Sequence, residues 1–493
     1  MYNPEMGMGI PQELKERHLE DNLERNENQE ITEALMKEFQ EEEKEKLFSK
    51  ESKEKTPKSR IKKALCAITA GLILFGSAEA GFAGLGGISG EGKVNYNQEN
   101  SIDLIKNQII EKEASVTDRV EITPEFQRNM EKVLLSIPSQ GFSQEEVRKI
   151  YHDLLVKMPN YSTIQALVGK DQEEKFKKII DDIQEQEKCD LYQRMQIIST
   201  NNPDELEMWA QDFGEMAKIN GIDTFIISAG RGEDFFYKDQ VDRDKRRQTM
   251  VRTWLQKQGL EIKQADFFLQ GGNISFDKTE KGLRVFVGYS DIFYSQHLGK
   301  KGDQKPTPQT IAKKISQCFG GAEVVVMGDK ELIGTCFHID QAFVILDNKQ
   351  AVINQCSSPC FDGDVDVSQQ LRYYKMQLEG LGYKIIEIEN TPQQLKDSHS
   401  STNVIPFVDK NTGQKKVILP IFPGEIREDA IDNQEINPSS LQGKGLAAYH
   451  AYLKAGYEPI LVRDYTAAKR GNIHCISNVL AKHLEKYDEL KKA

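Results

Sequence analysis

The sequence predicts a mixed α/β domain over residues 122–490. Three observations carry this: a β-α-β alternation that opens at residue 162, its recurrence at comparable intervals toward the C-terminus, and a length of 493 residues, enough for a core that encloses a site. Periodicity alone leaves open whether the sheets form a doubly wound layer, a barrel or a ring.

In order, TPEFQRNMEKVLLSI (123–137) and SQEEVRKIYHDLLVKM (143–158) carry apolar residues at helical spacing, so two helices are expected. The second opens on a Ser N-cap with Glu in its first turn. STIQALV (162–168) reads as a strand, EEKFKKIIDDI (173–183) as a helix and RMQIIST (194–200) as a strand. TFIISA, LRVFVGY and AEVVVMG continue the strands. AFVIL and AVINQ form a hairpin around Asp347-Asn348-Lys349, and a helix over 368–381 leads into YKIIEIE.

Acidic residues outnumber basic ones, 77 against 65, for a formal net charge of -12. That balance argues against a nucleic-acid partner and suits a cationic one. Seven cysteines, an odd number spread along the chain, do not make a disulfide scaffold. Cys356 and Cys360 read as structural loop residues rather than metal ligands, and Asp362-Gly363-Asp364-Val365-Asp366 as a turn rather than a calcium loop.

Residues 1–60 form a charged extension, helical or disordered, rich in Glu, Lys, Asn and Gln. Residues 61–95 hold an apolar segment and a Gly-rich linker. The run 64–87, uncharged except for Glu79, follows the basic SRIKK cluster and contains Ser77-Ala78-Glu79-Ala80, a small-x-small pattern of the kind cleaved after export. Export or membrane contact through 64–87 is the expectation, with a cytoplasmic Gly/Ala-rich loop as the alternative.

Four segments bear chemistry: Trp209-Ala210-Gln211-Asp212-Phe213-Gly214, Gln270-Gly271-Gly272-Asn273, His338-Ile339-Asp340 and Gly471-Asn472-Ile473-His474-Cys475. Singly, each reads as ordinary: a core Trp beside a surface Asp, a tight turn, a hydrogen-bonded pair, a buried thiol. In this order and spacing they resemble the signature of the family containing agmatine deiminases and bacterial peptidylarginine deiminases, within the pentein superfamily. Ser401-Thr402-Asn403 before VIPFVDKNTGQKKVILPIF, and Asp464 with Arg470 ahead of the cysteine, extend the resemblance over roughly 160–480.

The resemblance implies a pentein-type α/β propeller of five ββαβ units around a pseudo-fivefold axis. It implies a guanidino substrate and no cofactor or metal. It also implies Cys475 as nucleophile, His338 as acid and base, and Asp212 and Asp340 as the carboxylates that hold the guanidinium. Trp209, Gln211, Gln270, Gly272, Asn273 and Asn403 are the expected substrate-binding positions. The chemistry is coherent, because a planar resonance-stabilised cation needs acceptors at both ends and a nucleophile stronger than water. His474 would point away from the site if its segment were extended.

Gln270 departs from the family pattern, since agmatine deiminases resemble EGG there, with a Glu paired to the histidine. The neutral side chain tilts the expectation from agmatine toward peptidyl-arginine, giving peptidyl-citrulline and ammonia. The alternatives are an agmatine deiminase producing N-carbamoylputrescine, and a non-catalytic arginine-binding effector. Arg231 and the run Arg243 to Arg247 suggest carboxylate recognition or, for the run, a solvated helix face.

Overall fold

The β-α-β alternation begins earlier than the sequence places it, at Lys132–Ile137 rather than at residue 162. A computed structural model of the chain describes residues 109–110, 118–138, 142–201, 206–299, 302–328, 338–362, 365–430, 436–466 and 471–480. All lie within one compact unit, Gly71–Ala493. The expectations for residues 1–60 and 61–95, including membrane contact through 64–87, and for Arg470, fall outside the described residues. Among the described residues no helix is long and apolar enough to cross a membrane.

Two short strands, β1 (Ile109–Ile110) and β2 (Val120–Glu121), add edges to later sheets. The first sheet is then laid down by β3 (Lys132–Ile137), helix α1 (Gln144–Lys157), β4 (Thr163–Gly169), helix α2 (Glu173–Glu187) and β5 (Met195–Thr200), its three strands parallel. Helix α1 starts on a capping box in which Glu146 N–H donates to Ser143 Oγ at 3.2 Å and Ser143 N–H to Glu146 Oε2 at 2.7 Å.

The helix expected over 123–137 does not form. A 3-10 turn at Glu125–Gln127 is followed directly by β3. Residues 133–137 are buried without interruption, because Val133, Leu135 and Ile137 pack into one apolar cluster and Leu134, on the opposite face, into another. Such two-sided burial gives a continuous apolar run, which spacing does not separate from a helix.

Four further units repeat one order: an antiparallel hairpin, a helical crossover, then a strand parallel to the hairpin's second strand. Strands β6 (Glu215–Ile219) and β7 (Ile222–Ile227), helix α3 (Lys238–Lys257) and β8 (Glu261–Gln264) form the first. Strands β9 (Ile274–Thr279) and β10 (Gly282–Gly288), helices α4 (Tyr289–Gln296) and α5 (Pro308–Cys318), and β11 (Glu323–Met327) form the second.

The third follows a short helix α6 (Ile339–Ala342) and comprises β12 (Phe343–Leu346), β13 (Gln350–Gln355), helix α7 (Val367–Gly380) and β16 (Lys384–Glu389). Its hairpin turns at Asn348 and Lys349, both with φ near +54°, as a primed turn requires. A side pair, β14 (Phe361–Asp362) and β15 (Val365–Asp366), precedes α7, and Asp366 caps that helix by accepting from Ser368 N–H at 3.0 Å. Cys356 and Cys360 are buried, with their Sγ atoms against Ser358 O at 3.1 Å and Pro392 O at 3.4 Å. Helix α8 (Pro392–Lys396) leads to the fourth unit: β17 (Ile405–Val408), β18 (Lys415–Ile421), helix α9 (Gly443–Ala455) and β19 (Glu458–Arg463).

Strand β20 (Ser477–Val479) returns to pair antiparallel with β3, supplying the first sheet with the hairpin partner it lacks. Four hairpin-crossover-strand sheets thus accompany a fifth, of order β20-β3-β4-β5, whose three parallel strands are joined by two helices and edged by the last strand. Each chemistry-bearing segment falls at the entry to the first strand of its unit: 209–213 before β6, 270–273 before β9, 338–340 before β12, 403 before β17 and 471–475 before β20.

Candidate active site

Because equivalent points of five similar units contribute them, the polar residues at these entries meet. A Cβ on Gly272 would stand 2.8 Å from His338 Nδ1 and 2.9 Å from Asp340 Oδ2, so the QGGN turn lies directly against both side chains. His338 Nδ1 is 3.8 Å from Asp212 Oδ1, and Gly272 N–H donates to that oxygen at 3.4 Å. Cys475 Sγ lies 3.2 Å from Asn403 Nδ2 and 3.6 Å from Asp340 Oδ2. The structure therefore brings Asp212, Gly272, His338, Asp340, Asn403 and Cys475 together.

Local backbone contacts fix each of them. Asp212 sits in a 3-10 turn, Ala210–Phe213, whose Gln211 N–H donates to Cys475 O at 3.1 Å. A side chain on Gly271 would strike Gln211 O at 2.0 Å, and one on Gly471 would strike the Trp209 ring at 2.2 Å, so glycine permits both close approaches. His338 is the N-cap of α6 and Asp340 lies in its first turn. Asn403 Oδ1 accepts from His474 N–H at 3.0 Å and from Cys475 N–H at 3.4 Å, seating the cysteine backbone.

Other predicted positions serve the frame. Asn273 donates to Ser290 Oγ at 2.7 Å and Asp291 Oδ1 at 2.8 Å, and accepts from Ile339 N–H at 3.3 Å, tying the glycine turn to α6. Gln211 Nε2 donates to Glu215 Oε1 at 3.1 Å. Trp209 packs against the core beside Gly471. Gln270 borders a cleft with Asp212, Phe268, Arg231 and Arg247.

The electrostatic field is strongly negative. Burial, then Asp340, pushes the Cys475 thiol well above its ordinary value. Burial also raises the Asp212 carboxyl, with His338 opposing. At His338 burial works against the charged ring, but Asp212, Asp340 and Asp291 outweigh it and raise the imidazole. Asp291 escaped the sequence reading. It accepts from Gln270 N–H at 2.9 Å and from Asn273, so a carboxylate acts on His338 although position 270 is neutral.

The expectation for His474 is corrected. Residues 473–476 form a turn rather than an extended strand, and the imidazole lies inward, its Nδ1 2.9 Å from Asp340 Oδ2 and its Nε2 2.9 Å from Glu125 Oε1. The reading of 243–247 as a solvated face holds for Arg243, Lys245 and Arg246, which are exposed. Arg247 turns inward and pairs with Glu207 and Asp244.

An arrangement of two carboxylates, an imidazole and a thiol around one point can hold a planar cation and attack it. Residues 122–438 match the family described as Porphyromonas-type peptidyl-arginine deiminase, a match that stops short of Cys475. No curated protein matches the sequence. Among solved structures, the chain is similar to an agmatine deiminase of C. jejuni, at 16% identity and a TM-score of 0.50, over 75% of this chain and 98% of the other. It is equally similar in fold to a Porphyromonas gingivalis protein described as an arginine deiminase, at 13% identity and a TM-score of 0.50, over 74% and 99%. At these identities the structural likeness speaks to the pentein fold.

Proposed function

The chain belongs to the Porphyromonas-type peptidyl-arginine deiminase family, and from that premise we propose that its substrate is an arginine that keeps a carboxylate, above all the C-terminal arginine of a peptide. The chain is a guanidine deiminase, a hydrolase of amidine C–N bonds. One observation favours a carboxylate-bearing substrate over agmatine. Arg231 borders the cleft shared with Asp212 and Gln270, its Nε is buried without a hydrogen-bond partner, and it forms no ion pair among the described residues.

Burial, then the neighbouring Arg247, disfavours the charge on Arg231 more than Glu207 and Asp244 favour it, and a bound carboxylate would add to their pull. Arg247 is already engaged by Glu207 and Asp244. Agmatine offers Arg231 a second cation instead of an anion.

In the reaction, Asp212 and Asp340 accept from the guanidinium N–H groups. The Oδ1 atom of Asp340 is buried and unpartnered, which suits that task. The bound cation reverses the field at Cys475, the thiol proton leaves to solvent, and the thiolate adds to the central carbon. Imidazolium His338 protonates one nitrogen, which departs as ammonia and leaves an S-alkylthiouronium. Neutral His338 then takes a proton from water as it adds to the same carbon. The C–S bond breaks, the thiolate is restored, and the hydroxyl proton is released with the ureido product.

The test offers agmatine, free arginine, a peptide ending in arginine and one with an internal arginine, with Cys475→Ala and Arg231→Ala alongside wild type. Citrulline formation from the C-terminal peptide, with KM raised in Arg231→Ala, is the expected result. Turnover of agmatine alone would overturn the substrate.

A further inference from the structure

The deimination chemistry leaves one buried titratable cluster unused. His474 is 5% exposed and lies between two carboxylates, with Asp340 Oδ2 at 2.9 Å from Nδ1 and Glu125 Oε1 at 2.9 Å from Nε2. Ionised carboxylates only accept, so an imidazole bonded to two of them must donate from both nitrogens and carries a positive charge. Burial alone would lower its proton affinity, but Glu125 and Asp340 raise it to about 10.

Glu125 is itself held. It lies in the 3-10 turn Glu125–Gln127, and Arg128 just beyond donates to Thr123 O at 2.9 Å and pairs with Glu215 Oε2 at 3.1 Å. Arg128 O accepts from Val408 N–H at 2.8 Å, which fastens the turn to β17. His474 and then Arg128 hold the Glu125 carboxyl below its ordinary value despite its burial. Glu125 and His474 are 349 residues apart in sequence, so only the fold makes this contact.

We propose that Glu125 and His474 are positioning residues for deimination, a relay in which imidazolium His474, anchored by Glu125, fixes the orientation and charge of Asp340. The inference rests on the proposed role of Asp340 in gripping the guanidinium. With Oδ2 occupied by His474 and facing the thiol, Oδ1 is left as the acceptor for substrate. Without that cation, Asp340 would share its small volume with Asp212 and the thiol with His338 alone to offset them, and one of these groups would take up a proton. A neutral Asp340 holds a guanidinium poorly, and a rotated one misplaces it.

The experiment has two readouts. Turnover is measured for wild type, Glu125→Gln, Glu125→Asp, His474→Asn and the Glu125→Gln/His474→Asn double variant, on whichever guanidine wild type converts. Each neutralising single variant should lower kcat/KM by about 100-fold, with KM carrying part of the loss. The double should be no worse than the weaker single, and Glu125→Asp should recover part of the activity. Additive losses, or unchanged kcat/KM, would overturn the relay.

Separately, ¹⁵N spectra of histidine-labelled wild type at pH 7, assigned against His474→Asn, should show a doubly protonated ring that becomes neutral in Glu125→Gln. A neutral ring in wild type overturns the relay even if a variant fails to fold. Absence of turnover on every guanidine, with a charged His474 ring, would instead count against the deimination reading.

Discussion

Cys475 Sγ rests 3.6 Å from Asp340 Oδ2, a thiol set against one of the carboxylates meant for the substrate. Burial, and the very carboxylate proposed to help it later, suppress the nucleophile. The cation that Asp340 attracts is also the charge that frees the sulfur. Attack is thereby tied to occupancy, which spares a buried thiolate from idle oxidation.

This coupling is measurable as thiolate absorbance at 240 nm, taken as the difference between wild type and Cys475→Ser. Without ligand the thiolate should appear only at strongly alkaline pH. A saturating amidinium ligand that is not hydrolysed should lower the midpoint by about one to three pH units, as opposite charges in contact do. An unchanged midpoint would detach the nucleophile from the carboxylate pair.

Gly272→Ala should nearly silence the enzyme while leaving it folded. The added methyl meets His338 Nδ1 and Asp340 Oδ2 at under 3.0 Å, and either side chain must move. A displacement of that size costs about 100-fold in kcat/KM. Citrulline release and melting temperature, read together, separate this from simple destabilisation.

Asn403→Asp isolates the amide that touches the sulfur. An ionised carboxylate keeps the acceptor for the His474 and Cys475 N–H groups but replaces the Nδ2 donor near Sγ with negative charge. Loss of kcat by about 100-fold is expected, since a preorganised donor at a reacting atom is worth that much. Asn403→Ala should instead also lower the melting temperature, because it abandons two buried backbone donors.

Alkaline pH should weaken the fold through His474. Its proton affinity rises from an ordinary 6.5 to about 10 in the folded chain. The folded state then binds that proton more tightly than the unfolded state does. The stabilisation is complete below about pH 6.5 and is lost as pH rises through about 10. Melting temperatures across this window should decline more steeply in wild type than in His474→Gln, whose curve lacks this component.

The groups proposed to perform chemistry, which the fold brings together, were legible in the sequence because their spelling is local. His338 and Asp340 share one turn of chain, Gly471 to Cys475 another, and each is recognisable without knowing what it meets. The β-α-β stretch over 162–200 was legible from spacing, its two strands and one helix found as expected. Residues 133–137 were misread because a strand buried on both faces has no period to display.

His474 was misread for a geometric reason, since alternation applies to a strand and the segment is a turn. Glu125 and Asp291 were missed because nothing in their neighbourhoods marks them. Their meaning lies in partners that the fold supplies, Glu125 through His474 and Asp291 through Asn273 and the field at His338. Arg231 remained open in the sequence for the same reason. An Nε left without a hydrogen-bond partner is a property of its surroundings, not of its neighbours in the chain.

The pairing of β20 with β3 gives the enzyme an order of assembly. A ribosome releases Asp212, His338 and Asp340 long before Cys475, and the sulfur is set only when Ser477–Val479 dock on a strand made some 340 residues earlier. Until then Asp212 and Asp340 stand without the thiol beside them and without His474, the ring set against Asp340.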